Sequence, residues 1–236
     1  MMRVVSYNVH GCVGRDRQRD VPRIARILRE LDADVIALQE LACPGEGQGP
    51  VDVLSELTGL PAIWTPTHQR GGTLYGNALL TRLPVLQQQV LDLSFADHEP
   101  RSALDVLLAA DDAALRIRVI ATHLGLRPAE RRHQVRKLLD LAAHAPDTIT
   151  LLLGDINEWW IHGRPLQWLH AHFGRSPSPR TFPAFFPMFS LDRIWVHPPE
   201  LLSHAKAHST VQTRAASDHL PIVAQLALET ARQRNT

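Results

Sequence analysis

Three leucines that run into a glycine and then into Asp-Ile-Asn, LLLGDIN at residues 151–157, constrain the fold more than any other stretch of this chain. A short apolar run bounded by a glycine fits a buried strand, and the end of such a strand is a place where a fold can hold polar side chains rigidly at a cleft. Asp155 and Asn157 are therefore candidates for chemistry. Gly-Asp-Ile-Asn also makes a good turn, because Asp and Asn side chains bond their own backbone. Other sites in the chain have to decide between the two readings.

Strand-like and helix-like patterns interleave along the rest of the sequence, with no linker to divide them. Arg3 to Tyr7 alternates as a strand, Pro22 to Leu31 places Ile24, Ile27, Leu28 and Leu31 at helical spacing, and Asp34 to Gln39 is a second strand, so the chain begins as a βαβ unit. Val53 to Leu57 reads as a short helix, and residues 76–80 with Val85 to Leu93 read as a hairpin turned at Leu83-Pro84. Ala103 to Ala109 and Leu115 to Thr122 read as an antiparallel pair joined at Asp111-Asp112. Pro128 opens a helix with Val135, Leu138, Leu139 and Ala142 on one face, and a strand at Thr148 to Leu153 follows. A helix near Leu166 to Phe173, a proline-rich segment, and strands at Leu191 to Val196 and Ile222 to Leu228 complete the pattern. With 236 residues, 44% of them hydrophobic, a single α/β domain spanning residues 1–236 is expected.

The polar ends of these strands form a set. The first strand ends in Asn8, the second in Gln39-Glu40, the Leu115 strand in Thr122-His123 and the leucine strand in Asp155 and Asn157; Asp192-Arg193 and Ser217-Asp218-His219 come later. Each has a bland reading: Glu40 a helix-start acid, His123 a satisfied core histidine, Asp192-Arg193 a surface ion pair, Asp218 an N-cap. One polar cluster at the sheet edge explains all of them better than six accidents. Carboxylate and amide oxygens without cysteine prefer a hard divalent cation, Mg²⁺ or Mn²⁺, with Glu40 as the first ligand. A histidine beside a carboxylate, as in His219 with Asp192, can donate to a phosphate oxygen or move a proton. Hydrolysis of a phosphate ester needs an oriented water, neutralised phosphoryl oxygens and help for the leaving group, and this set can fill all three roles.

At these residues the chain resembles a known family. Ser6-Tyr7-Asn8, Leu38-Gln39-Glu40, Gly76-Asn77-Ala78, Thr122-His123-Leu124, Gly154-Asp155-Ile156-Asn157, Leu191-Asp192-Arg193-Ile194 and Ser217-Asp218-His219-Leu220-Pro221 are similar, in order, to motifs of the endonuclease/exonuclease/phosphatase superfamily. The resemblance implies a DNase I-like fold, a four-layer α/β/β/α sandwich of two mixed sheets, mostly antiparallel, with helices outside. It also implies divalent-metal-dependent hydrolysis of phosphate esters. By that likeness Glu40 binds metal with help from Asn8 and Asp218, Asp155 activates or orients the attacking water, and Asn157 holds that water or the phosphate. His123 and His219, the latter oriented by Asp192, stabilise the transition state or transfer protons. Members of the superfamily differ over whether the aspartate or the histidine is the general base. Arg101 can approach a phosphate or lie at a solvated strand end. Two positions depart from better-known members: His10 replaces an aspartate of abasic-site endonucleases, and Tyr75-Gly76-Asn77 lacks the glutamate that supports the first histidine in enzymes resembling pancreatic deoxyribonuclease.

Composition and loops bear on the substrate. A net charge of +1 exerts no broad pull on nucleic acid or an anionic membrane, so a nucleic-acid substrate is allowed without being favoured. Cys12 and Cys43 lie outside any metal or redox spacing and read as free thiols. The absence of a leader or an apolar span predicts a soluble, cytoplasmic protein. The segment RSPSPRTFPAFFPMFS at residues 175–190 reads first as core packing under a long loop, and alternatively as an apolar lid for a lipid-like or aromatic leaving group; its Thr-x-Pro stretch resembles that of small bacterial members. Trp159 and Trp160 read as hydrophobic support for the catalytic turn or as a stacking platform. Arg127, Arg131, Arg132, Arg136 and Lys137 read as a solvated helix face, or with their near end as a place to receive an anionic substrate. The leading expectation is a phosphodiesterase or phosphatase on a small or lipid-linked ester, with a nuclease or abasic-site endonuclease second and a non-catalytic phosphate-binding module third.

Overall fold

The computed structural model describes residues 1–45, 47–110, 115–143 and 148–228. It begins as the sequence predicts: β1 (Met2–Asn8), α1 (Val21–Leu31) and β2 (Val35–Pro44) form a βαβ unit with parallel strands. Asp20 caps α1 by accepting a 2.8 Å hydrogen bond from the Arg23 amide, and Asp32 ends the helix in the left-handed region. Ile24, Ile27, Leu28 and Leu31 are buried beneath it.

α2 (Pro50–Thr58), β3 (Ala62–Arg70) and β4 (Thr73–Thr81) follow, then β5 (Val85–Asp92), β6 (Ser102–Ala109), β7 (Arg116–His123), α3 (Pro128–Ala143) and β8 (Ile149–Asp155). α4 (Arg164–Phe173), β9 (Asp192–His197), β10 (Leu202–Ala207), α5 (Val211–Ala216) and β11 (Ile222–Leu226) complete the chain. The strands make two mixed sheets, ordered β10-β11-β1-β2-β4-β3 and β5-β6-β7-β8-β9. The expected hairpin of residues 76–80 with Val85 to Leu93 does not exist: β4 pairs with β2 and β3 in one sheet, while β5 pairs with β6 in the other. The chain leaves the first sheet at Leu83-Pro84, where proline has no N–H to continue a ladder. β6 and β7 are antiparallel as expected, and their Asp111-Asp112 connection lies outside the described residues.

Three apolar clusters define the layers. Val4, Val35, Ala37 and Leu79 of the first sheet meet Leu104, Val119, Leu151, Leu153 and Ile194 of the second. The outer face of the first sheet packs Tyr7, Ile36 and Leu38 against α1 and α2, and that of the second packs Leu152 and Trp195 against α3 and α4. The result is the expected α/β/β/α sandwich. Period-two alternation assigns the faces: even residues of β1 and odd residues of β7 and β8 point between the sheets. Asn8, His123 and Asp155 are therefore the last inward positions of strands whose earlier inward positions are mostly aliphatic, and the polar cluster lies at one end of the inter-sheet core.

Among the described residues no helix is long and apolar enough to cross a membrane. Both cysteines are buried free thiols. Gly154 is required where the leucine strand meets its neighbour: its φ is +145°, and a Cβ there would stand 1.8 Å from the Thr122 carbonyl oxygen. Gly154→Ala should lower the unfolding free energy by about 2 kcal/mol or more, measured by urea denaturation; a change within a few tenths would mean that β7 and β8 can part at no cost.

Candidate active site

Strand register brings the candidates together. His123, Asp155 and Asp192 are direct neighbours across β7, β8 and β9, forming one row at the edge of the second sheet. Asn8 pairs with Gln39 across the first sheet. Glu40 breaks the alternation. Odd residues of β2 face inward, so an unbroken strand would turn Glu40 outward, under the helices. Instead β2 bulges between Leu38 and Leu41, with Glu40 in the left-handed region at φ +57°. The extra residue aims Glu40 at the row opposite and returns Leu41 to the outer core.

The Asn8 amide joins the two sheets, with Nδ2 donating to Glu40 Oε1 at 2.8 Å and to Asp155 Oδ2 at 3.1 Å. Asn8 Oδ1 accepts from the His10 amide, and its carbonyl accepts from Ser217 Oγ. Asp155 Oδ1 accepts from the Asn157 amide at 2.9 Å, so the Gly-Asp-Ile-Asn turn and the polar site are one arrangement, and neither reading of LLLGDIN excludes the other. Asn157, at φ +53°, donates from Nδ2 to the Leu124 carbonyl and lies 3.0 Å from His123 Nε2.

Two triads share Asp155. Glu40, His123 and Asp155 each present an oxygen or nitrogen within 4.8 Å of the others, as do Asp155, Asp192 and His219. In the second triad His219 Nδ1 bonds Asp192 Oδ2 at 2.9 Å, and its Nε2 lies 3.6 Å from Asp155 Oδ2. Burial alone would lower the His219 pKa, but the charge and hydrogen bond of Asp192 overcome it and raise the pKa to about 10. Burial raises Asp155 to about 7, helped by the Asp192 charge. In the first triad burial opposes ionisation of Glu40, yet contacts from His10, His123 and Asn8 hold its pKa below the usual carboxylate range. Burial, reinforced by Arg101, depresses His123 to about 3. Arg101 Nη1 lies 3.2 Å from His123 Nδ1, and Nε2 lies within 4 Å of Glu40 Oε1 and Asp155 Oδ2.

All nine residues singled out from the sequence are thus in or beside one site. Arg101 contacts His123 with its side chain largely buried, which favours the site over a solvated strand end. Asp218 is linked to Glu40 through His10, whose Nδ1 lies 3.4 Å from Glu40 and 3.6 Å from Asp218. Sequence reasoning missed Thr181, which donates to Asp192 Oδ2 beside His219, and Phe182, whose ring lies 4.8 Å from that of His219. The Thr-x-Pro pattern was the available signal, and nothing in it pointed to Asp192. Arg131 is not a solvated side chain: it is buried and bonded to Glu158. Trp159 and Trp160 are each 54% exposed, and Phe185, Phe186 and Met188 are exposed too, so neither hydrophobic support nor core packing describes them. Beyond Glu40 and His123 a cleft of about 540 Å³ opens between His10, Arg19, His68, Arg70, Tyr75 and Arg101.

A two-sheet sandwich with a carboxylate, amide and histidine cluster at one edge defines the DNase I-like class, and the chain belongs to the Endonuclease/Exonuclease/phosphatase family, whose model matches residues 5–219. It is similar to the uncharacterised protein YbhP of Escherichia coli K12, with 30% identity over 249 residues that cover 96% of each chain. Among solved structures it is similar to an endonuclease/exonuclease/phosphatase of Beutenbergia cavernae, with TM-score 0.77 and 22% identity over 96% of this chain and 72% of that one. It is also similar to a mannosyl-6-phosphatase of Bacteroides thetaiotaomicron, with TM-score 0.75 and 16% identity over 96% and 100%.

Asp192→Asn removes the charge that holds the proton on His219. Its ring titration should fall from about 10 towards the ordinary histidine range, read by NMR. Because the folded pKa is raised, the stability this contact contributes is full below about 6.5 and is lost as pH rises through about 10. The variant should lack that alkaline loss; an unmoved titration would remove Asp192 as the cause.

Proposed function

We propose that residues 1–236 form one catalytic domain hydrolysing phosphate esters with Mg²⁺ or Mn²⁺, as a phosphodiesterase or phosphatase on a small or lipid-linked substrate. The observation that carries this is the Asn8 amide bonded to Glu40 and Asp155, which sets two carboxylates from different sheets beside His123. The donors suit a hard cation: they are oxygen-rich and contain no thiolate, and Glu40 is ionised and partly open to the cleft. Glu40 would hold the ion, with Asn8 and Asp218 in support. The other triad is less suited to an ion, because His219 and Asp192 are already bonded to each other. A bound cation would supply Lewis-acid neutralisation of the phosphoryl oxygens.

The chain's own groups account for the remaining roles. Asp155, bonded through Oδ1 to the Asn157 amide, orients the attacking water and takes its proton. His219 lies between Asp192 and Asp155 and is held as a cation, so it stabilises negative charge on the phosphoryl group and is not the base. His123 Nε2 and the Asn157 amide lie on the other side of Asp155, and Arg101, paired with Glu99 at 3.0 Å, lies behind His123 at the cleft. The near-neutral net charge favours small or lipid-linked esters over a nuclease substrate.

Hydrolysis of bis-p-nitrophenyl phosphate with Mg²⁺ or Mn²⁺ should fall by about a hundredfold or more in Asp155→Ala with the fold retained; unchanged turnover would remove Asp155 from the reaction. Glu40→Gln should require a higher metal concentration for half-maximal rate, and identical metal dependence would strike Glu40 from the ligands. Comparing that diester with abasic-site DNA separates the small-ester reading from the nuclease reading.

A further inference from the structure

Two loops rooted in different parts of the chain expose their largest apolar side chains next to the catalytic row. One follows Asn157 and shows Trp159, Trp160 and Ile161 to solvent; the other, just before Asp192, shows Phe185, Phe186 and Met188. They meet where the Trp159 and Phe189 rings pack edge to face at 5.8 Å. Soluble monomers rarely leave a contiguous apolar surface of this kind without a use for it.

Neither loop is exposed for want of anchoring. The buried Glu158 carboxylate is held by Arg131 Nε and Nη2, each at 3.1 Å, and accepts from the Trp160 amide. Arg131 also bonds the carbonyl of exposed Leu126, which joins a third tip to the same ion pair. The other loop closes on itself through the Phe182 and Phe189 backbones and is tied down by the Ala184 amide on the Asp218 carbonyl.

Arginines flank the tips. The Arg15 guanidinium lies over the Phe185 ring at 4.7 Å. Arg127, Arg164 and Arg180 are exposed next to these segments, and none pairs with a carboxylate among the described residues. The nearby acids are engaged, Asp16 by Arg23 and Glu158 by Arg131.

We propose that this rim is a docking surface for an anionic lipid bilayer, with Trp159, Trp160, Phe185, Phe186 and Met188 entering the headgroup region and the neighbouring arginines pairing with lipid phosphates. Protruding aromatic tips ringed by arginine match the interfacial zone of a membrane, where amphipathic rings and cations are both favoured. Arg127, Arg164 and Arg180, unpaired among the described residues, and the Arg15 guanidinium over Phe185 favour a negatively charged surface as the occupant. The docking inference rests on the proposed hydrolysis only for its purpose.

The test is co-sedimentation of the full chain with phosphatidylcholine vesicles, with and without phosphatidylglycerol, together with tryptophan fluorescence. Wild type should bind the anionic vesicles with a blue shift, more weakly at high salt. The double variant Trp160→Ala/Phe186→Ala should bind about tenfold or more weakly, while melting normally and hydrolysing the soluble diester at the wild-type rate. Absence of wild-type binding to anionic vesicles, or equal binding by the double variant, overturns the proposal. So does a wild-type dimer in sedimentation equilibrium that the double variant dissolves, since the occupant would then be a second copy. Patch-dependent vesicle binding without turnover of the diester supports docking and overturns the hydrolase reading instead.

Discussion

The Asn8 amide is the joint on which the site depends. Its two N–H groups bond one carboxylate from each sheet, so the facing layers are linked by polar contact where their apolar contact ends. Burying acids between sheets is costly unless each has a partner. Here the partners form a chain: Ser217 to Asn8, Asn8 to Glu40 and Asp155, His219 to Asp192, and Thr181 to Asp192. Side chains so engaged cannot turn away from one another, and the site is preorganised by the bonds that make its burial tolerable.

Much of this was legible from pattern alone. The leucine run ends in a residue that faces inward because Leu151 and Leu153 do, and the same count places Asn8 and His123. Glu40 could not be placed by counting, because a bulge has no reliable mark in a single sequence. The supposed hairpin at Leu83-Pro84 failed for a similar reason: alternation shows that a segment is a strand, not which sheet receives it. The aromatic loops depart from expectation because hydrophobic composition ordinarily means burial, whereas the tryptophan loop is anchored by a buried Glu158–Arg131 pair and the phenylalanine loop by its own backbone bonds, which leaves their apolar side chains exposed.

The mouth of the site is asymmetric. On one side Arg19, Arg70 and Arg101 wall a cleft together with Glu40, Glu99 and a stacked His68–Tyr75 pair, their ring centroids 5.1 Å apart, while the His219 ring is bordered by Phe182. His10 sets an imidazole at the cleft wall between Glu40 and Asp218.

The bulge in β2 carries a consequence for how this chain can change over time. Because Glu40 reaches the site through one surplus residue, its place depends on the number of residues between Leu38 and Leu41 as much as on their identity. Substitutions here would be filtered for side chain, but insertions and deletions would be filtered for parity. A loss of one residue could leave a well-paired strand, with its apolar faces intact, that no longer delivers an acid. Length variation within the family should therefore collect in the loops around the sandwich, where the aromatic tips lie, and substrate preference can drift there while the interval in β2 stays constant.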